Sequence, residues 1–315
     1  MGNIDNHGVD IFGGMGYTLG MKSLVEDLQT PKESLEEFAG LTERVLNHVQ
    51  NVITASQPLR DDYIIHSSAI AGTTKYTRPV KETLFIRDSH GFRKQFEEFI
   101  ELMRELRAGN RLIGGESNLM LDRVVYTIQQ SIGIGLDLMS NPNSARKHVG
   151  NRFEELIRLI IAALGVANKK IVLKIPYSED GSDIYSCETD LVFSPFEEVR
   201  SGSHSLDPAE VVVSLKTSSK DRLGKIFIDK LLMREFVGHD VTVVGIFLND
   251  VQRKETSNIS YTFVSGLFMV YTKFLTEADG MYFVDMPPKT KENPYNEHIF
   301  PFSKFIVRDI WKFLE

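Results

Sequence analysis

The sequence predicts an α/β fold in which a mixed central sheet is flanked by helices. Three observations indicate this class: a helical pattern, then a set of β-rich segments, then a second helical pattern leading into a buried strand. In chain order the predicted elements are a helix at 144–165, strands at 170–175, 185–193 and 210–217, a helix at 221–238 and a strand at 241–248. The last run is almost wholly apolar, as expected of a strand covered on both faces. The element order is therefore helix, three strands, helix, strand.

Residues 1–143 are predicted to form a mainly helical region. Apolar residues recur every three to four positions in three stretches, at 31–57, 91–106 and 118–139. Between the first two lies the polar segment 73–85, predicted to be either an exposed loop or a loop that touches a nucleic-acid backbone. The division is therefore 1–143 for the helical region and 144–315 for the α/β core with a C-terminal extension.

In the C-terminal extension, residues 264–275 and 302–314 are predicted to be helical. Residues 281–285 between them are predicted to be extended.

Bulk properties restrict the classes of function. The formal net charge of −7 counts against a protein that coats nucleic acid, although it permits a local basic cleft. Cys187 is the only cysteine, which excludes an internal disulfide and favours a reducing, cytoplasmic location. Residues 1–20 lack the pattern of a signal peptide, and Arg158 interrupts the longest apolar stretch, so no membrane contact is predicted.

The strand predicted at 210–217 carries Lys216 to its C-terminal end, where α/β sheets usually place their chemistry. Asp190 lies near the end of the preceding predicted strand, so a hairpin could bring the two together. Ser214 faces the same side as Lys216, because strand side chains alternate, while the carbonyl of Leu215 stays available.

Carboxylate and carbonyl oxygens are ligands that Mg²⁺ prefers, and a lysine beside them can position water and neutralise phosphate. The pattern therefore predicts a magnesium site suited to phosphodiester hydrolysis. A second acid is needed, since serine is a poor magnesium ligand. Asp229 on the next helix could supply it, or could instead be a solvated residue paired with Lys225 or Lys230.

The element order over residues 144–248, with Asp190, Ser214–Leu215–Lys216 and Asp229, resembles the PD-(D/E)XK nuclease superfamily. More narrowly it is similar to type II restriction endonucleases that cut sites with a CCGG or CCNGG core. In that group a small residue stands two positions before the lysine and a carboxylate from the next helix replaces the missing acid. Asp229 occupies the matching place. Thr189 stands where the superfamily name leads one to expect proline.

The triplet Lys220–Asp221–Arg222 is similar to the basic-acidic-basic triplet with which that group reads G·C pairs. Arg or Lys can donate to guanine O6 and N7, and Asp can accept from cytosine N4. Lys220 replaces the arginine more usual there. Alternatively, the triplet could form a helix cap in which Asp221 accepts backbone amides.

The resemblance also implies a glutamate on the first core helix near the metal. Glu155 matches best, with Glu154 as the alternative. Glu188 shares the face of Asp190 by alternation and could be an extra ligand or a strand-end acid facing solvent.

These features predict a type II, Mg²⁺-dependent site-specific deoxyribonuclease that acts on double-stranded DNA. A homodimer, or a higher oligomer, would address the two halves of a palindrome. Two alternatives remain open: a repair or structure-directed nuclease without sequence readout, and a catalytically silent DNA-binding protein on the same scaffold.

Overall fold

The computed structural model describes residues 23–70, 72–220 and 222–315. The predictions made for residues 1–20 and for Asp221 lie outside these ranges. Across the described ranges, no helix combines the length and the apolar character that crossing a bilayer requires.

The first half of the chain packs helices around a small antiparallel sheet. Its helices are α1 (Leu24–Gln29), α2 (Leu35–Val52), α3 (Ser89–Arg107) and α4 (Gly115–Met139). Its strands are β1 (Ala55–Pro58), β2 (Tyr63–Ile70), β3 (Thr73–Tyr76) and β4 (Val80–Lys81). Strand β2 pairs with each of the other three. The prediction of a loop over 73–85 was therefore wrong, because the short strands β3 and β4 are too polar to show an apolar alternation.

Helix α4 lies at the centre of this half and is buried almost all round between residues 121 and 138. Its glycines allow close packing rather than weakening the helix. A Cβ on Gly133 would lie 2.2 Å from the Cζ of Arg78, and one on Gly135 would lie 2.8 Å from a methyl carbon of Leu28. Only glycine lets these neighbours approach the helix backbone so closely.

Helix α5 (Pro142–Ala163) opens the predicted core. Its N-cap is Asn141, whose side chain accepts a hydrogen bond from the Ser144 amide at 2.9 Å. The helix thus begins two residues before the predicted start at Ser144, and Pro142 occupies its first turn, where the missing amide proton costs nothing.

The β-rich segments form more strands than predicted. They are β5 (Asn168–Lys169), β6 (Val172–Pro176), β7 (Ile184–Glu188), β8 (Leu191–Phe193) and β9 (Val211–Lys216). Strands β6 and β7 form a separate two-stranded sheet, whereas β5 and β8 join the main sheet beside β9. The chain changes partner at Thr189, whose amide donates to the Ile171 carbonyl at 2.9 Å and whose Oγ1 accepts from the Ile171 amide at 3.1 Å.

The remaining elements complete the main sheet. They are α6 (Leu223–Val237), β10 (Thr242–Phe247), β11 (Val251–Arg253), β12 (Ile259–Tyr261), α7 (Ser265–Phe274), β13 (Gly280–Phe283), β14 (Ile299–Pro301), α8 (Phe302–Lys304) and α9 (Ile310–Phe313). The main sheet has the order β14-β13-β10-β9-β8-β5; its first four strands are parallel, and β8 and β5 are antiparallel to their neighbours. Strands β11 and β12 form a hairpin outside it.

The main sheet is buried on both faces because β9 alternates its side chains between two cores. Val211, Val213 and Leu215 pack into a cluster that continues through helices α2 to α5. Val212 packs into a second cluster with Phe227 of α6 on the other face. The first cluster runs from Leu28 to Ile310, so one core joins residues on both sides of position 143.

A buried carboxyl group ties α4 to the C-terminal segment. Asp122 accepts hydrogen bonds from the Ser303 amide at 2.8 Å and from the Ser303 hydroxyl at 2.7 Å. Burial raises the pKa of Asp122 to about 7, although the two hydrogen bonds from Ser303 act in the opposite direction. The protonated form of this group therefore predominates in the folded protein below about pH 7.

We expect the free energy of unfolding to depend on Asp122 near neutral pH. A carboxyl group whose pKa is raised on folding contributes stability below its unfolded pKa of 3.8, and this contribution is lost as the pH rises through about 7. Asp122→Asn removes the titration while keeping the shape. In urea unfolding, the stability of the variant relative to the wild type should rise between pH 5 and pH 8; a constant difference would contradict the assignment.

Candidate active site

Asp190 lies where the chain leaves the β6–β7 hairpin and enters β8. Its Oδ2 accepts hydrogen bonds from the Leu215 amide at 2.7 Å, from the Ser214 hydroxyl at 3.4 Å and from the Lys216 ammonium. Both side chains are largely buried, with exposed fractions of 15% for Asp190 and 16% for Lys216. The structure thus brings together Asp190, Ser214, Leu215 and Lys216.

The main-chain amide of Leu215 is free to bond Asp190 because β8 is short. Strand β8 pairs with β9 only from Leu191 opposite Val213 onward, so the amide of Leu215 has a carboxylate as its partner instead of a strand. In an extended strand the N–H and C=O of one residue point to the same edge. The Leu215 carbonyl therefore points toward Asp190 and lines the cleft described below.

The glutamate of α5 that lines the same cleft as Asp190 and Lys216 is Glu154, the alternative to Glu155. Burial raises the pKa of Glu154, and the nearby negative charge of Asp190 raises it further. Its carboxylate also lies 3.8 Å from the ammonium of Lys170, which contacts Glu188 at 3.3 Å. Glu188 is thus an exposed strand-end acid paired with Lys170.

Glu155, the glutamate that the resemblance favoured, does not line the cleft around Asp190 and Lys216. Its carboxylate accepts from Nη2 of the buried Arg152 at 2.5 Å and from the Lys32 amide at 3.0 Å. Successive helix residues point about 100° apart, so only one of the two neighbouring glutamates can face the cleft. Glu155 instead joins α5 to the segment between α1 and α2.

Asp229 lies on α6 beside a second, smaller cavity of about 300 Å³, whose lining also includes Asp190, Ser214 and Lys216. Its carboxylate is paired with Lys225, one helical turn earlier. The pairing with Lys225 that the sequence left open is therefore present. Asp229 therefore lies at the same small cavity as Lys216 and Asp190, and its carboxylate is bonded to Lys225.

Asp190 and Lys216 also form part of an open cleft of about 910 Å³. Among the described residues that line it, basic side chains outnumber acidic ones six to three: Arg78, Arg146, Lys216, Lys220, Arg222 and Arg253 against Asp137, Glu154 and Asp190. A cleft with an excess of basic residues can attract anionic ligands even when the net charge of the whole protein is negative.

The predicted triplet reaches this cleft through Lys220 and Arg222. Arg222 is the N-cap residue of α6, and its side chain makes no capping hydrogen bond. Within the described ranges, no hydrogen bond or ion pair engages the side chain of either residue. Asp221, the middle residue of the triplet, lies outside those ranges.

Sequence reasoning missed several cleft residues. Arg146 and Glu154 flank Gly150 at intervals of four along α5, and all three line the cleft, so helical spacing could have placed Arg146 on the face of Glu154. Gln252 and Arg253 lie on β11, which the sequence analysis did not identify as a strand. Only the fold brings that hairpin to the cleft.

The oxygen ligands fit a magnesium ion that keeps part of its water shell. Within the described part of the chain, no group of three or more His, Cys, Asp or Glu side chains could hold a metal. Burial, and then the negative charge of Asp190, raise the pKa of Glu154, and a divalent cation between the two carboxylates would offset that repulsion. With the Leu215 carbonyl they form the set of hard oxygens that Mg²⁺ accepts.

The chain is similar in structure to the type IIP restriction endonuclease Kpn2I, known from a crystal structure. The TM-score is 0.67 at 19% sequence identity, and the match covers 92% of this chain and 97% of Kpn2I. The fold is that of a restriction endonuclease. The predicted restriction-endonuclease-like core with helices preceding it is therefore confirmed.

A second similar structure is a complex of the restriction endonuclease PspGI with substrate DNA. It has a TM-score of 0.41 at 13% identity, and the match covers 71% of this chain and 92% of that chain. No family model and no curated protein matches the sequence.

Within the restriction-endonuclease fold, the two neighbouring glutamates should differ in what they do for stability. Glu155→Gln leaves the buried Arg152 without its charge partner and should lower the free energy of unfolding by about 3 kcal/mol. Glu154→Gln removes a carboxylate that burial already disfavours, so stability should stay within about 1 kcal/mol or rise. Urea unfolding of the two variants measures the contrast, and equal losses would contradict it.

Proposed function

We propose that the chain is a type II restriction endonuclease that hydrolyses double-stranded DNA with bound Mg²⁺. The observation that carries this proposal is the meeting of Asp190, the Leu215 main chain and Lys216 at the wall of a basic cleft, within a restriction-endonuclease fold. Asp190, Glu154 and the Leu215 carbonyl would hold the ion. A bound magnesium ion would supply Lewis-acid charge and lower the pKa of water.

The residues of the chain divide the remaining work. The ammonium of Lys216 is held by Asp190 and carries three hydrogen-bond donors. It can orient a water molecule and stabilise the negative charge that develops on the phosphate. Ser214 donates to the same carboxylate and so helps to fix its direction. Arg146 and Arg253, also in the cleft, can bind neighbouring phosphates and align the scissile bond.

Sequence readout is assigned to the triplet. We propose that Lys220 and Arg222 donate to guanines and that Asp221 accepts from cytosine in a CCGG or CCNGG core. The unengaged side chains of Lys220 and Arg222 in the cleft support this assignment. A palindromic core requires two such triplets, and we therefore propose a homodimer.

Removing the lysine or its carboxylate should abolish cleavage without unfolding the chain. Lys216→Ala and Asp190→Asn should each lower the cleavage rate about 10²–10⁴-fold or more. The measurement is plasmid cleavage in MgCl₂ followed by sequencing of the fragment ends, with the exposed Lys289→Ala as a matched control.

The same assay separates the alternatives. Discrete fragments with one common end sequence support a restriction endonuclease, and a smear supports a nuclease without readout. DNA binding without cutting by the wild type would indicate a silent binding protein. Unchanged cleavage by both variants would contradict the catalytic assignment.

Arg222→Ala should lower discrimination at the base pair that it reads. One bidentate contact to guanine accounts for about 1–3 kcal/mol, so preference at that position should fall about 5- to 150-fold. Competition binding against sites altered at single positions measures this loss. A uniform loss of affinity across all sites would instead assign Arg222 to a phosphate.

A further inference from the structure

The hairpin of β11 and β12 lies outside the main sheet, and its strand β11 lines the cleft. Arg253 donates from Nη1 to the Thr77 carbonyl at 3.1 Å, and its guanidinium carbon lies 5.6 Å from the centroid of the Tyr76 ring. Arg60 donates to the Ile259 carbonyl at 3.3 Å. The hairpin is thus fastened to the segment around β1–β4 at both strands.

Gln252 lies in the middle of β11, at the wall of the cleft. Val251 is buried in a small cluster with Tyr63 and Ile259, and Gln252 follows it with a partly exposed side chain that lines the cleft. The side chain of the nearby Asn249 is engaged, since its Oδ1 accepts from the Val251 amide at 3.2 Å. Within the described ranges, the Gln252 amide makes no hydrogen bond.

A free neutral amide in this place fits a base edge better than a phosphate. Arg146 and Arg253 of the cleft are already proposed to bind phosphates, and a neutral amide adds little to that attraction. Its carbonyl and NH₂ lie in one plane and can bond adenine N6 and N7 together. The triplet residues Lys220 and Arg222, assigned to G·C pairs, line the same cleft.

We propose that Gln252 is a specificity-determining residue that reads an adenine in the base pair flanking the G·C core. This assignment rests on the proposed restriction endonuclease function. It adds a position to the recognition site that the triplet alone does not specify. The contacts of Arg60 and Arg253 that attach the hairpin help to position the amide for a bidentate contact.

The test is cleavage of a DNA library in which the positions beside the core are randomised, read by sequencing of the fragment ends. Wild-type protein should prefer A·T at one flanking position. Gln252→Ala should lower that preference about 5- to 150-fold and leave the core preference unchanged. Gln252→Glu should move the preference toward cytosine, because a carboxylate accepts from cytosine N4.

Gln57→Ala is the matched control, since Gln57 is an exposed strand glutamine that does not line the cleft. It should retain the wild-type site. The assignment is overturned if Gln252→Ala keeps the flanking preference, or if it slows cleavage equally at every site, as a purely structural residue would. Both results leave the proposed nuclease intact. A wild-type chain that cuts no DNA overturns the proposed function and this assignment together.

Discussion

The fork in the chain at Thr189 and Asp190 is the constraint on which the site depends. If β8 continued its antiparallel pairing with β9, Thr189 would lie opposite Leu215 and the two main chains would bond each other. Thr189 instead bonds Ile171, and the carboxylate of Asp190 takes the Leu215 amide. The end of β9 therefore keeps a carbonyl directed at the carboxylate, and Lys216 follows on the same strand. A single interruption of one strand pair thus creates an acid, a carbonyl and an ammonium group within one small space.

Threonine serves at this fork because it offers both a backbone donor and a side-chain acceptor. Its amide and Oγ1 together satisfy the Ile171 carbonyl and amide, so neither buried main-chain group is left unpaired. Proline, which the superfamily name leads one to expect here, has no amide proton and could not make the first of these bonds. The departure from the motif therefore has a local structural reason and does not move Asp190 away from Lys216.

The sequence was sufficient to predict the fold class and the proximity of Asp190, Ser214 and Lys216, because strand periodicity and the helix between β9 and β10 are local signals. It was not sufficient for the splitting of the predicted strand 185–193 into β7 and β8 or for the short strand β5, since β-rich composition does not say which strand a residue pairs with. Nor did it distinguish Glu154 from Glu155, which differ by one helical step and whose orientation depends on the packing of α5. Gln252 and Arg253 reach the cleft only through tertiary contacts of their hairpin.

The second acid of the proposed site follows from electrostatics more than from motif spacing. Asp229 matches the spacing, but its charge is offset by Lys225 on the same helix. The pKa of Glu154 is raised by burial and then by the negative charge of Asp190, so a cation placed between the two carboxylates would offset their repulsion. Glu154 also lines the same cleft as the Leu215 carbonyl, whereas Asp229 lines the smaller cavity beside it. We therefore favour Glu154 as the partner of Asp190, with Asp229 and Lys225 forming a charge pair behind the lysine.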